Sequence, residues 1–473
     1  MDHSPDTNPG IGHGTGTARL DEQAAVDAPA LGATTARRRV WASTMAGVAA
    51  RDGLVLAHAG AEPRPVGPPG GGAPAIPRDQ REAAEAASLA PGATLAHGCG
   101  NRAAPEEPDR WRTCFERDRD RILHAAAFRR LAGKTQVFVH PADHQRTRLT
   151  HALEVAQVAT AVARAVGLNT TLVEAMALGH DCGHGPGGHA SEDAFEVFVP
   201  GFHHARWGAD VVLARLNLCA ETLDGIRNHS WSLPAPTTPE GEVLSWADRI
   251  AYCTHDLEDA VRAGIVDDRD LPEEVVEVAG RTRSAQLRTF ITALVVGVTT
   301  HGAVGMAEEP ARALAALRSF NYERLYMRPE SVAQADAVVA VLRALVEFYV
   351  DHPWQVPEPW PNGTGPGTDA AVDRAVTYVA GMTDRFAFDL AVDRVGWPVD
   401  RLPRAVDTGI GGLTAVNADI GVLAPAVDDD IDGLAPAGDA GIDGLPYGLA
   451  GRRDNLVPVH LGAPTSDHRA RPQ

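Results

Sequence analysis

The chain has 473 residues, 44% of them hydrophobic and only 5% aromatic, with a formal net charge of −19. That length suits two or three average domains or one large domain with tails, and the apolar content is enough for a sizeable core. The acidic balance argues against a general binder of nucleic acid or anionic membranes, both of which need a basic surface, but leaves room for a small anionic ligand in a local basic pocket.

Residues 1–104 are rich in Gly, Ala, Pro and Thr and show no sustained period, so they read as a disordered, dispensable extension. RRRVWASTMAGVAA, beginning at Arg37, mimics a signal peptide, but it lies far from Met1 and Arg51 and Asp52 cut its apolar run short. No run of about 18 apolar residues follows, so no membrane span is expected. Cys99, Cys114, Cys182, Cys219 and Cys253 are odd in number and scattered, with no CxxC, which points to buried reduced thiols in a cytoplasmic protein.

From residue 109 the pattern changes. Ile122, Ala126, Phe128 and Leu131 recur at helical spacing among basic residues, and 110–148 holds ten Lys/Arg against four Asp/Glu. Two readings stay open for this zone: a solvated helix face laced with ion pairs, or a phosphate-facing surface. Thr150 is placed to cap a helix running to about Val166, with Leu153, Ala156, Ala159, Val162, Ala163 and Val166 inward. Asn169 caps the next helix, whose apolar face, Val173, Met176 and Ala177, runs on to His180. The run GHGPGG then breaks the helix into a turn poor in side chains.

A proline-rich loop at 234–239 precedes a strongly helical stretch at 243–263, and further helical patterns continue to about Val399. After Pro403 the composition shifts to Gly, Asp, Ala and Pro. Asp428, Asp430, Asp432, Gly433 and Asp439 match parts of a calcium loop, but Pro436 and the absence of flanking helical pattern argue against one, leaving a flexible acidic tail.

His180, Asp181, His184, His189 and Glu192 fall within 13 residues. With His151 and Asp248 they can offer two imidazoles and two carboxylates to a divalent cation; an isolated buried histidine is more often a packed core residue, but buried charge on this scale is costly unless paired or metal-bound. Asp248, Tyr252, Asp256 and Asp259 share one helix face, with an exposed acidic stripe as the plain alternative.

The stretches FERDRDRILHAAAFRRLAGKTQVF, RTRLTHALEVAQ, LGHDCGHGPGGHASE, LNLCAETLDGIRNHS, SWADRIAYCTHDLEDAVRAG and YVAGMTDRFA, together with the GF-HH pair at 201–204, occur in the order found in one family. The chain resembles the deoxyguanosinetriphosphate triphosphohydrolase-like family of HD-domain phosphohydrolases over about 109–399. The resemblance implies an all-α fold, an HD-domain helical bundle with additional C-terminal helices over 105–400, flanked by tails at 1–104 and 401–473. It implies His151, His180, Asp181 and Asp248 as metal ligands, and His189 and Glu192 as groups acting on the scissile phosphate, with Glu192 orienting His189. His184 and His204 match histidines lining the triphosphate site, Arg148, Arg249 and Tyr252 phosphate contacts, and Asp256 the acid that holds the sugar 3′-hydroxyl.

The implied reaction is hydrolysis of dGTP or several deoxynucleoside triphosphates to deoxynucleoside and inorganic triphosphate. Mn²⁺ or Mg²⁺ is the expected metal, with Fe²⁺, Co²⁺ and Ni²⁺ compatible. A homo-oligomer with an allosteric nucleotide site is a further expectation from the family. The alternatives are an HD phosphohydrolase acting on another nucleotide and a nucleotide sensor with little turnover. Two departures stand out: Gly187 where the family usually has Phe, which is expected to loosen the turn carrying His189, and Cys182 where Leu or Ile is common.

Overall fold

In a computed structural model of the chain, the structure describes residues 71–404 apart from 142–143 and 358–364, with a few short stretches before residue 69. The signal-peptide-like run lies mostly outside the described residues, and the acidic tail from residue 405 entirely so. Among the described residues the only strands are the two-residue pair β1 (Val48–Ala49) and β2 (Val55–Leu56), antiparallel to each other. Everything else is helix and connection, and the fold is all-α.

The helices are, in chain order, α1 (Arg78–Ser88), α2 (Cys114–His124), α3 (Ala126–Arg130), α4 (Arg148–Val166), α5 (Thr170–Gly179), α6 (Ala190–Phe195), α7 (His204–Trp207), α8 (Ala220–Asn228) and α9 (Pro239–Arg262). They continue as α10 (Glu273–Ala279), α11 (Arg283–His301), α12 (Glu308–Asn321), α13 (Pro329–Asp351), α14 (Asp369–Ala380) and α15 (Asp384–Leu390). One core lies between α2, α4, α5 and α9, where Ile122, Val155, Val162, Leu172, Met176 and Ile250 are fully buried. A second gathers α13, α14 and α15 and takes Phe195 and Phe202 from the α6 region. The short helix α6 therefore belongs to the HD helices in sequence but packs on the C-terminal core, which seats the turn before it between the two.

Two expectations shift. The cap of α4 is Thr147, not Thr150: Thr150 Oγ1 sits at the third helical position and accepts from Thr147 N at 3.1 Å, so the helix begins one turn earlier and includes Arg148. Leu153, expected inward, is 48% exposed. The cap at Asn169 is as expected, its side chain accepting from Leu172 N at 3.1 Å.

The packed region also begins before residue 105. Arg102 and Asp118 form an almost fully buried ion pair at 2.6 Å, and Asp118 accepts in addition from Cys219 N and Thr222 Oγ1. Glu240, at the start of α9, accepts from Thr94 N at 2.9 Å, Thr94 Oγ1 at 2.7 Å and Asn169 N at 3.0 Å. These are polar anchors to distant parts of the chain, and hydrophobic periodicity carries no trace of them. Five arginines of the zone take the plainer of its two readings: Arg112, Arg117, Arg119, Arg121 and Arg146 are each paired with a carboxylate, while Arg148 lines the cavity described below. All five cysteines are free thiols, four buried and Cys99 half-buried.

Candidate active site

The site forms where α4, α5 and α9 meet. His151 projects from α4, and Asp248 from α9. The helix α5 ends at Gly179, where an added Cβ would stand 2.6 Å from Ile226 Cδ1 of α8, so the two helices touch and His180 and Asp181 follow on the turn beyond. Their side chains converge. His151 Nε2 is 3.1 Å from Asp248 Oδ1 and 3.9 Å from Asp181 Oδ2; His180 Nε2 is 3.6 Å from Asp248 Oδ1 and 3.5 Å from Asp181 Oδ1. Donors about 2.1 Å from one cation lie roughly 3–4 Å apart, so these spacings suit a single divalent ion.

The tautomers agree with that reading. His180 Nδ1 stands 2.6 Å from the Ala177 carbonyl, which can only accept, so the proton is on Nδ1 and the buried Nε2 presents a lone pair without a partner in the protein. The same kind of carbonyl contact orients metal-bound histidines elsewhere. The chemistry of the donor set fits a divalent cation.

Around this group lies a cavity of about 440 Å³. Of the residues singled out from sequence, His180 and Glu192 stand behind its wall; the other ten line it. Arg148 Nη1 donates to Asp181 Oδ2 at 2.8 Å, and its Nη2 lies 3.5 Å from His189 Nδ1. His184 stacks on His204, ring centroids 3.7 Å apart, and its Nε2 lies 3.2 Å from Asp181 Oδ1. The sequence leads us to expect Glu192 to orient His189, but Glu192 Oε1 takes the short contact to His204 Nδ1, 2.6 Å, while His189 faces the open cavity.

Burial works against charge on Asp181, but His180, Arg148 and His184 outweigh it and hold its carboxyl well below the usual range. Asp248, against burial, is drawn down to about 2 by the contact from His151 and by the neighbouring imidazoles. Burial, reinforced by Arg148, pushes His184 down; His204 falls well below its ordinary value through burial and His229, and His229 to about 4 through burial and His180. Only His151 moves up, because its contact with Asp248 and the charge of the two nearest aspartates overcome its burial. The cluster thus pairs ionised carboxylates with mostly neutral imidazoles, the state a metal ion requires.

One helical turn beyond Asp248 comes Tyr252, and one turn further Asp256, roughly 6 Å per step along α9. Tyr252 accepts from Arg318 Nε at 2.9 Å, and Asp256 from the Tyr326 hydroxyl at 2.6 Å. Burial pushes the Asp256 carboxyl up to about 7. Tyr326 reaches it because the wide turn Tyr322–Tyr326 follows directly on α12. Arg249 stacks over the Trp231 ring, 3.4 Å from its centroid, and also lines the cavity.

The turn at Gly187 is pinned rather than loose. Asp384, at the start of α15, accepts from Gly187 N at 2.9 Å and from Thr135 N and Oγ1 at 2.9 and 2.5 Å. Buried Lys134 donates to the His184 and Ala380 carbonyls. Gly187 has φ +73°, and a Cβ there would lie 2.4 Å from Val338 Cγ1 of α13. The space that a larger residue would need is filled by Val338.

Sequence reasoning passed over His229, Arg318, Tyr326, Lys134 and Asp384. His229 stood inside a quoted motif, RNHS, and its place just past α8, aimed at the same cluster, was the available signal. Arg318 and Tyr326 carry no local pattern that marks them.

Comparison with known proteins agrees with this architecture. The HD domain family model matches residues 148–253, and that of the phosphohydrolase-associated domain matches 304–392. A deoxyguanosinetriphosphate triphosphohydrolase-like protein of Caldanaerobacter subterraneus subsp. tengcongensis is 38% identical over 319 residues, covering 66% of this chain and 93% of the relative. Proteins of the same description from Clostridium perfringens (strain SM101 / Type A) and Ruegeria sp. (strain TM1040) are 39% and 38% identical, over 59% and 64% of this chain and 86% and 97% of theirs. A crystal structure of a hypothetical protein from Aquifex aeolicus aligns with TM-score 0.37 and 17% identity over 57% of this chain and 66% of that one, too slight a likeness to add to the argument. The relatives' coverage, with the HD model falling on the helices that carry the cluster, makes this chain an HD-domain phosphohydrolase belonging to the deoxyguanosinetriphosphate triphosphohydrolase-like family.

Proposed function

We propose that the chain hydrolyses deoxynucleoside triphosphates to a deoxynucleoside and inorganic triphosphate, with a divalent cation held by His151, His180, Asp181 and Asp248. The observation that carries the reading is one cavity whose wall holds the His/Asp cluster and, on successive turns of the same helix, Tyr252 and Asp256. The relatives' printed description, deoxyguanosinetriphosphate triphosphohydrolase-like, supports the substrate class.

The cation, once bound, supplies Lewis acidity to a phosphoryl oxygen and to water. Arg148, fixed by Asp181, offsets phosphate charge in a setting of low dielectric. His189 lines the cavity beside Arg148, where it takes a proton from the water attacking the α-phosphorus and returns it to the departing 5′-oxygen, or positions that water. His204 donates from Nδ1 to Glu192, which fixes its ring in the cavity wall where the triphosphate would lie. Tyr252 and Asp256 take the sugar, with Asp256 on the 3′-hydroxyl and Tyr252 crowding a 2′-hydroxyl. Arg249, held flat on Trp231, faces the phosphate tail. The catalytic region under this reading extends N-terminally of residue 105 to include α1 and the Arg102 anchor.

The test is product analysis with Mn²⁺ and each deoxynucleoside triphosphate in turn. Free triphosphate is expected, and its formation is lost in His180→Ala with the helical circular dichroism unchanged. Release of pyrophosphate or of single phosphate refutes the reaction; an unchanged rate in His180→Ala refutes the metal assignment. Saturable binding with no product favours a sensor.

A further inference from the structure

Three of the five cysteines are gathered by one arginine, and none of the three lines the cavity. Arg102 donates from Nε to the Cys99 carbonyl at 2.6 Å and from Nη2 to the Cys114 carbonyl at 2.9 Å, and its backbone pairs with that of Cys219. Cys114 opens α2 and Cys219 stands just before α8, at 1% and 0% exposure. Gly100 lies against both. A Cβ there would stand 2.7 Å from Cys114 Cβ and 3.2 Å from its Sγ, with Cys219 Sγ nearer still. The two sulfurs therefore share one small space, within hydrogen-bonding reach of each other. The wall on the outer side is thin: nothing stands within 4 Å of where a Cβ on Gly98 would lie. No cluster suited to a metal ion among the described residues includes either thiol.

We propose that Cys114 and Cys219 are a redox-active dithiol, which a hydroperoxide oxidises to a disulfide joining the start of α2 to the start of α8. Cys114 supplies the attacking sulfur. It sits at a helix N-terminus, where the helix dipole favours a thiolate. Against burial, the hydrogen bond with Cys219 lowers its pKa and raises that of Cys219, and Arg102 adds positive charge beside both. The Cys114 thiolate attacks one peroxide oxygen and the O–O bond breaks; the departing oxygen takes a proton and leaves as water or an alcohol. Cys114 is then a sulfenic acid, oxidised by two electrons. Cys219 gives up its proton and its sulfur attacks that of Cys114; the S–O bond breaks and the hydroxide leaves with the proton as water. Two thiols and one hydroperoxide thus give one disulfide, water and the reduced peroxide. The bond closes a loop of about a hundred residues, which restricts the unfolded chain and stabilises the fold. It also ties down α8, whose Ile226 meets Gly179 at the end of α5. Cytoplasmic thiols reverse it, so the link is a transient one.

The inference is independent of the reaction proposed above, because its test reads mass and melting rather than turnover. The full reduced chain is treated with hydrogen peroxide, alkylated, and followed by intact mass, peptide mapping and thermal unfolding. The wild type is expected to lose two hydrogens and to give one linked peptide pair holding Cys114 and Cys219. It should melt about 5–10 °C higher, with dithiothreitol restoring the starting value. Cys114→Ser and Cys219→Ser, each with circular dichroism as the fold check, are expected to show neither link nor rise, while Cys99→Ser keeps both. Thiols that all stay open to alkylation after peroxide overturn the proposal, and so does a link that runs through Cys99. A link that forms only when the chain is first unfolded in urea overturns it as well, since the folded geometry then does not join the two sulfurs.

Discussion

Gly187 stands where the family resemblance leads one to expect phenylalanine, and the structure gives that difference a measurable size. A Cβ at residue 187 would approach Val338 Cγ1 to 2.4 Å and Cγ2 to 3.1 Å, and the backbone there has φ +73°. An L side chain held in the left-handed region costs roughly 1–2 kcal/mol, and forcing volume into a packed core costs about 1–3 kcal/mol more. Gly187→Ala is therefore expected to destabilise the fold by about 2–5 kcal/mol in urea or thermal unfolding. Val338 is fully buried, so Val338→Ala alone costs something on its own account. Combined with Gly187→Ala, it opens the space the new methyl needs. The double-mutant cycle should show a favourable coupling of about 1–3 kcal/mol, with the φ contribution left unrelieved. Gly187→Phe, although it restores the residue usual in the family, is expected to cost more than Gly187→Ala. A Gly187→Ala change within about 0.5 kcal/mol of wild type, or a cycle with no coupling, refutes the account of Val338 as the compensating residue.

Four further outcomes follow from the geometry. Burial lifts the Asp256 pKa to about 7, above an unfolded value of about 3.9, so ionising it in the fold is unfavourable: the penalty is absent below pH 4, grows between pH 4 and 7 and is complete above, at most about 4 kcal/mol. Asp256→Asn should therefore gain stability relative to wild type as pH rises from 4 to 8, and a flat difference in melting temperature contradicts this. Arg102→Ala leaves Asp118 charged and buried without its counter-ion and is expected to cost about 3–5 kcal/mol in denaturant unfolding; a loss under 1 kcal/mol on the scale of surface pairs rejects it. Glu192→Gln removes the acceptor charge beside His204 Nδ1 and is expected to lower kcat by about 10–100-fold with the circular dichroism spectrum intact, where an unaltered kcat removes Glu192 from the machinery. Mn²⁺ at a hundred times its Kd should raise stability by about 2.7 kcal/mol over the chelated protein, and a melting temperature insensitive to metal refutes cation binding to the folded state.

Much of the fold was legible because its signals are local. Asn169 caps α5 with its own side chain, the Gly-rich run forms the turn that follows its end at Gly179, and the period of α9 is regular over its whole length. The His/Asp cluster was legible because His180 and Asp181 are adjacent in one short motif, His151 lies in the helical stretch before it and Asp248 lies on a helix of clear period. What stayed hidden is held by contacts across the chain. Arg102 reaches Asp118, Thr94 reaches Glu240, and Asp384 reaches Thr135 and Gly187 over 249 and 197 residues. The contacts made by residues before 105 went unread for that reason: a Gly/Ala/Pro composition conceals residues whose anchoring is polar and remote. The pairing of Glu192 with His204 rather than His189 depends on how α6 and α7 face each other, which neither spacing nor charge encodes.

The central claim is cleavage between the α-phosphorus and the 5′-oxygen, in the cavity that joins the His/Asp cluster to Asp256. Hydrolysis of a deoxynucleoside triphosphate with Mn²⁺ in ¹⁸O-labelled water, followed by mass spectrometry of both products, tests it most directly. The predicted result is one ¹⁸O in inorganic triphosphate and none in the deoxynucleoside. Label in the deoxynucleoside, or in pyrophosphate or single phosphate, contradicts it.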